Sequence, residues 1–297
     1  MKPLTTTEFL LNTDGSVYHL QLKPEHVAET IITVGDPERV AEVSKHFERI
    51  EYKIQNREFV THTGFFKNGK RVTVISTGIG TDNVEIVITE IDALFNIDFE
   101  TRLPKSKITS LNFIRIGTTG TIKNEIALDS FLVAESAIGL DNLMHFYDAP
   151  NNSDELLLAD ALAEYIEKKN EDLFIFPYAF SASKTLLAQF CVEPFIKSIT
   201  VTTPGFYAPQ GRAMRTKLTE RNLVFILGNF NWKNTSLTNF EMETSALYGM
   251  ARVLGHHAIS VSAVLANRVQ ETFSTQSQVT INKLIEKVIE IISRNDE

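Results

Sequence analysis

Apolar positions along the chain switch repeatedly between two periods. Short β-branched runs alternate with longer segments whose apolar residues recur at three and four positions, and that alternation predicts an α/β fold. Strands are predicted at 30–34, 71–76, 111–116, 130–134, 198–203, 223–227 and 258–265, and helices at 37–47, 83–97, 154–168, 240–254 and 277–293. The last helix carries Val279, Ile281, Leu284, Ile285, Val288, Ile291 and Ile292, an apolar stripe that predicts packing on the sheet. No internal repeat or Pro/Gly/Ser-rich linker divides the chain, so residues 17–297 read as one domain and residues 1–16 as a polar N-terminal arm. Segment 171–197 has no clean period and reads as an elaboration near the site that covers the pocket.

Composition narrows the chemistry. The 297 residues are 43% hydrophobic and 22% charged, the balance of a globular protein with a sizeable core. Against 29 basic residues stand 37 acidic ones, a net charge of −8. No whole-chain basic field exists to hold a nucleic acid or an anionic membrane, so neither is an expected partner, and any bound anion must meet a local basic cluster. The single cysteine, Cys191, can form no internal disulfide and reads as a buried thiol in a reducing compartment. No run has signal-peptide character or the ~18 apolar residues of a membrane helix, which gives an expected cytoplasmic location.

Five segments could carry chemistry. Gly35-Asp36-Pro37-Glu38-Arg39 follows a strand: Asp36 is a helix cap and Pro37 a first helical residue, whereas Arg39 opposes the helix dipole unless an anion sits there. Arg115-Ile116-Gly117-Thr118-Thr119-Gly120 reads either as a glycine turn with Arg115 in a structural ion pair or as a nest of N–H groups for an anion. Ser76-Thr77-Gly78-Ile79-Gly80 is a third glycine turn at a strand end, where ligands bind in open α/β sheets. In Thr238-Asn239-Phe240-Glu241-Met242-Glu243, Glu241 fits a capping box, and Glu243, about 200° further round the expected helix, points elsewhere; it is suited to a vicinal diol. Phe206, Gln210 and Arg212 lie on one loop after a strand, which is either a plain surface loop or a base-recognition set of stacking face, amide and fork. His19 is a lone histidine in a semi-apolar segment, and Asn56-Arg57-Glu58 an exposed polar turn.

Taken in order, VYHLQL, VGDPERV, NREF, STGIG, IRIGTTG, GFYAPQGR and NFEMETSALYGM resemble the nucleoside phosphorylase family of uridine phosphorylases and hexameric purine nucleoside phosphorylases. The likeness runs from about Val17 to Ile292 and is greatest to the uridine-directed members. It implies a central mixed twisted sheet, partly barrel-like and flanked by helices. It also implies phosphorolysis of a pyrimidine ribonucleoside, uridine and orthophosphate giving uracil and ribose 1-phosphate, in nucleoside salvage or catabolism. Phosphate is the co-substrate and no cofactor or metal is called for. The implied phosphate ligands are Gly35, Arg39, Arg115, Thr118 and, from a neighbouring subunit, Arg57. The implied ribose ligands are Met242, Glu243, Thr118 and, again from the neighbour, His19. Phe206, Gln210 and Arg212 would hold the base, and Arg39, Arg115, Arg212 and Glu243 would carry the chemistry. A homo-oligomer follows, a dimer at the least and a hexamer by analogy. Purine-directed relatives typically place an aspartate after the late strand, where this chain has Asn267; a purine phosphorylase, a nucleosidase or a silent nucleoside-binding paralogue are the alternatives. After STGIG the chain departs from the family's usual Gly-Pro-Ser with Thr81-Asp82-Asn83.

Overall fold

The computed structural model describes residues 2–170, 172–233 and 235–294. In chain order the elements are β1 (Thr30–Val34), α1 (Pro37–Ser44), β2 (Arg49–Asn56), β3 (Phe59–Phe65), β4 (Arg71–Ser76), α2 (Thr81–Asn96), and the short ribbon β5 (Ile97–Asp98) with β6 (Leu103–Pro104). Then follow β7 (Asn112–Thr121), β8 (Phe131–Gly139), α3 (Ser153–Lys169), β9 (Tyr178–Ser181), α4 (Lys184–Phe190), β10 (Phe195–Thr202) and α5 (Leu223–Gly228). A second ribbon, β11 (Asn231–Trp232) with β12 (Thr235–Ser236), precedes β13 (Asn239–Glu241), α6 (Thr244–Leu254), β14 (His257–Asn267), β15 (Thr272–Phe273) and α7 (Ser277–Ser293).

Ten strands pair in the order β15-β14-β8-β10-β13-β7-β1-β4-β3-β2, and β9 adds to β8. Because β14 also pairs with β7, strands β14, β8, β10, β13 and β7 close into a five-stranded barrel, from which β1, β4, β3 and β2 continue as an open mixed sheet. The expected mixed, partly barrel-like α/β domain is therefore what forms. Its main core lies between the sheet and helices α1, α2, α6 and α7, where Phe113, Ile31, Ile32, Val74 and Ile88 are fully enclosed or nearly so. Helix α7 buries Ile281, Leu284, Ile285, Val288, Ile291 and Ile292, whereas Val279, expected in the same stripe, is exposed in the first turn; each buried side chain contributes about 1.5–3 kcal/mol. Leu4, Thr5 and Phe9 of the N-terminal segment lie against the β5–β6 ribbon, with Arg102 donating to the carbonyls of Leu4 and Thr5 and Phe9 edge-on to Phe99, while Leu11 pairs with Val17. No described helix is long and apolar enough to cross a membrane.

Several expectations change. Residues 223–227, expected as a strand, form α5: Leu223, Ile226 and Leu227 face inward at helical spacing while Phe225 is exposed. The β2–β3 hairpin was not anticipated, although Ile50, Tyr52 and Ile54 alternate with polar residues along it. Residues 240–241 belong to β13, not to the following helix, which starts at Thr244. Strand β7 does not stop at Ile116 but runs on through Thr121, so Gly117–Gly120 is strand and not a turn. The 172–197 part of the expected elaboration forms β9, which pairs with β8, then α4 and the start of the barrel strand β10, and none of it lines the cavity described below. Cys191 is half-buried, at the end of α4.

Candidate active site

A cavity of about 1040 Å³ opens where the strand ends of the open sheet meet the barrel. Its floor follows from the pairing of β7. That strand pairs with β1 only up to Ile116 and with β13 only from Gly120, so residues 117–119 keep a partner on the β14 edge alone. The two glycine turns sit beside this open edge. Asp36 accepts from the Glu38 N–H at 2.9 Å and caps α1, as its position after a strand predicts. Gly78 and Gly80 have φ of 71° and 105°, values that favour glycine, and a Cβ on Gly35 would lie 3.4 Å from the Gly78 carbonyl.

The centre is a buried cluster of one guanidinium and two carboxylates. Arg115, on β7 and 6% exposed, pairs with Glu243 and lies 3.4 Å from Glu241. Its Nη1 is buried and unpartnered. The guanidinium occupies the space where a Cβ on residue 117 would be, so the glycine there is steric: a methyl group would fall 1.9 Å from Nη1. Burial alone would lower the Arg115 pKa, but the two carboxylates raise it, so the guanidinium stays charged. Glu243 is held at 2.9 Å by the Gly80 N–H. Burial, reinforced by the neighbouring Glu241, pushes its pKa up against the opposing pull of Arg115. Glu241 accepts from the N–H groups of Glu243 (2.9 Å) and Thr244 (2.9 Å) and from the Thr202 hydroxyl (2.5 Å). It thus caps α6 from the strand before it. The capping box expected at Thr238 does not form, and because 240–241 is strand, Glu241 and Glu243 converge on Arg115 instead of diverging. Arg39 donates to the Ile116 carbonyl at 3.3 Å, and burial lowers its pKa.

The other end of the cavity is built from the loop after β10. Arg212 stacks on Phe206, 3.8 Å from the ring centroid, and donates to the Gln210 side-chain oxygen. Gln210 is 3% exposed and its Nε2 donates to Thr203 Oγ1 at 2.9 Å, which fixes the amide. Burial, with help from the nearby Arg268, pushes Arg212 down to about 10, still charged at neutral pH. Arg268 donates to the Gln210 carbonyl at 3.0 Å and keeps a buried, unpartnered Nη1. Its neighbour Asn267 does not face the cavity. That amide donates to the carbonyls of Lys123 and Ile126 and accepts from the N–H groups of Val269 and Gln270. The cavity wall at this strand end is Leu265 and Ala266.

Of the residues singled out in the sequence, Gly35, Arg39, Arg115, Thr118, Phe206, Gln210, Arg212, Met242 and Glu243 all line this one cavity. His19 and Arg57 do not; they lie together on the surface beside it. Gly80, in the third glycine turn read from the sequence, holds Glu243, a partnership the sequence did not signal, and Arg268, a cation directly after a long apolar strand that sequence reasoning passed over, backs the Gln210 carbonyl without lining the cavity. No cluster of three or more His, Cys, Asp or Glu side chains suited to a metal ion occurs among the described residues.

Residues 29–294 match the family model described as the phosphorylase superfamily. The chain is 30% identical over 287 residues to the uridine phosphorylase of Thermococcus kodakarensis, covering 96% of this chain and 89% of that one. It is 26% identical to a DeoD-type purine nucleoside phosphorylase of Bacillus cereus, over 90% of this chain and 95% of the relative. A Trypanosoma brucei nucleoside phosphorylase, whose crystal structure is described as showing uridine phosphorylase activity, superposes with a TM-score of 0.86 at 29% identity, covering 95% of this chain and 98% of that one. The match spans both the barrel and the open sheet whose meeting forms the cavity, so the chain belongs to the phosphorylase superfamily and is an enzyme of the pentosyltransferase kind.

Proposed function

We propose that the enzyme is a uridine phosphorylase, acting in nucleoside salvage or catabolism, in the cytoplasm, as a homo-oligomer with the dimer as its smallest active unit and a hexamer as the full assembly. An oxygen of orthophosphate bonds to C1′ of uridine as the C1′–N1 bond breaks, and the electron pair leaves with the base. Ribose 1-phosphate and, after protonation, uracil are the products. The observation that carries the base assignment is the buried Gln210, locked by Thr203 and Arg212 in the same cavity as Arg115 and Glu243. A fixed amide beside a guanidinium matches the alternating carbonyl and N–H edge of uracil and stabilises the charge that develops on it. Arg268, outside the cavity lining, donates to the Gln210 carbonyl and so steadies the loop that carries the amide. At the other end Arg39, Arg115, Gly35 and Thr118 bind phosphate, Glu243 and Met242 hold the ribose, and Phe206 stacks on the base. Positioning and electrostatics then do the work.

Incubation of the pure protein with uridine, with and without phosphate, tests the reaction. Uracil and ribose 1-phosphate should appear together and only with phosphate; equal uracil release without it would identify a nucleosidase. Inosine should be a far poorer substrate, since it leaves the buried polar groups of the base end unpaired. Inosine cleaved as well as uridine would reassign the base to purine.

A further inference from the structure

We infer that Glu90 is a positioning residue that fixes the tautomer and direction of His19, so that His19 Nε2 is held ready to accept a hydrogen bond from a substrate hydroxyl. His19 side-chain exposure is 28%, and neither it nor Arg57 lines the cavity of its own chain. The two residues nonetheless form one ordered patch. Asn56 Nδ2 donates to the His19 carbonyl at 2.8 Å, and the Arg57 guanidinium lies 5.5 Å from the Tyr18 ring centroid. Glu90 organises the histidine from below. Its carboxylate accepts from the backbone N–H groups of His19 (3.0 Å) and Leu20 (2.9 Å), and Oε1 meets His19 Nδ1 at 2.6 Å.

A carboxylate is an acceptor only, so the nitrogen facing it must carry the proton. That places the hydrogen on Nδ1 and leaves Nε2 of the neutral ring as an acceptor, a role that suits a hydroxyl donor. Nε2 makes no hydrogen bond among the described residues. The carboxylate sits on α2, the helix that opens at the Gly80 turn holding Glu243. Nine residues separate Thr81 from Glu90, about 14 Å along the axis. One rigid element therefore supports a ribose ligand at its start and presents His19 further along. This rests on the proposed uridine phosphorylase dimer and on the family resemblance, which implies that His19 reaches the ribose of a neighbouring copy at its 5′-hydroxyl.

Uridine and 5′-deoxyuridine, which lacks that hydroxyl, separate positioning from mere structure. Glu90→Gln keeps the volume, but one amide oxygen cannot serve three N–H donors and its NH₂ opposes them. Glu90→Gln, Glu90→Ala and His19→Ala should each lower kcat/KM for uridine about 10-fold or more, largely through KM, and change 5′-deoxyuridine turnover by less than about twofold. The Glu90→Ala/His19→Ala double variant should be no worse than His19→Ala. Equal losses on both substrates, or no loss on uridine, would overturn the inference. Nitrogen-15 NMR of histidine-labelled protein reads the tautomer without any activity, with His19→Ala supplying the assignment. Nδ1-protonated His19 is expected in the parent protein and a mixed or Nε2-protonated ring in Glu90→Gln; the reverse in the parent would sink it. A parent enzyme inert on uridine would count against the substrate assignment, while the NMR result still decides the role of Glu90.

Discussion

Glu243 sits where its charge is costly, and the proposed contact with the ribose hydroxyls uses that charge. The side chain is buried beside Glu241, and only Arg115 and the Gly80 N–H compensate it. Its pKa is raised by burial, so its folded value lies above the unfolded one. A raised carboxylate contributes stability that is fully present below the unfolded pKa, near the ordinary 4.5, and is lost as pH rises through the folded value. Glu243→Gln has no such titration. The stability of the parent relative to Glu243→Gln should therefore decline as pH rises from about 4.5 toward neutrality, measured as paired thermal melts across that range. A parent that gains on the variant with rising pH would show that Arg115 dominates and that the pKa is depressed. The same substitution should abolish most turnover, because an amide presents one acceptor to a diol and leaves Arg115 to Glu241 alone.

Glu241 has the opposite character, because it belongs to an element more than to a ligand. It joins β10, through Thr202, to the first turn of α6, through the N–H groups of Glu243 and Thr244. Truncation would strand buried donors in both. Glu241→Ala should lower stability by about 2–3 kcal/mol, read from denaturant midpoints, whereas Glu243→Gln near neutral pH should move them little. This role also marks the limit of what the sequence discloses. The strand ends with Asp36 and Gly80 are legible because a cap or a positive φ is a local requirement. The stripe of α7 is legible because seventeen residues sample its period. Residues 223–227 are not, since five consecutive apolar residues fit a buried strand as well as a short helix. Nor is the continuation of β7 through Gly117–Thr121, which depends on pairing with β14, some 145 residues away. The site follows the same rule: Arg115 and Glu243 lie 128 positions apart, and their partnership is visible from sequence only through the family resemblance. The contact between Glu90, on α2, and His19, in a turn 71 positions earlier, left no signal at all.

At the scale of the whole molecule the cavity's own charge bears on the proposed dimer. Arg39, Arg115 and Arg212 line it against Asp36, Glu58, Glu241 and Glu243, which leaves a formal excess of one negative charge. The proposed phosphate dianion would be balanced there by a further cation, and a chain of net charge −8 supplies none from its general field. Arg57 is the nearest candidate by sequence. It is exposed at the tip of the β2–β3 hairpin with φ of 54°, next to Glu58, whose side chain does reach the cavity. A two-fold axis beside that hairpin would let each copy donate Arg57 and His19 and receive its partner's pair. Complementation between two dead variants tests the exchange. Arg57→Ala and Arg115→Ala should each be nearly inactive alone. In a mixed dimer one site carries both lesions and the other carries neither. Equal amounts unfolded and refolded together should thus recover up to about a quarter of parent activity, half the dimers being mixed and half their sites whole. Native mass spectrometry confirms the mixing. No recovery in a mixed population would place Arg57 in its own chain's site or outside any site, and the cation that balances the phosphate would have to be sought elsewhere on the rim.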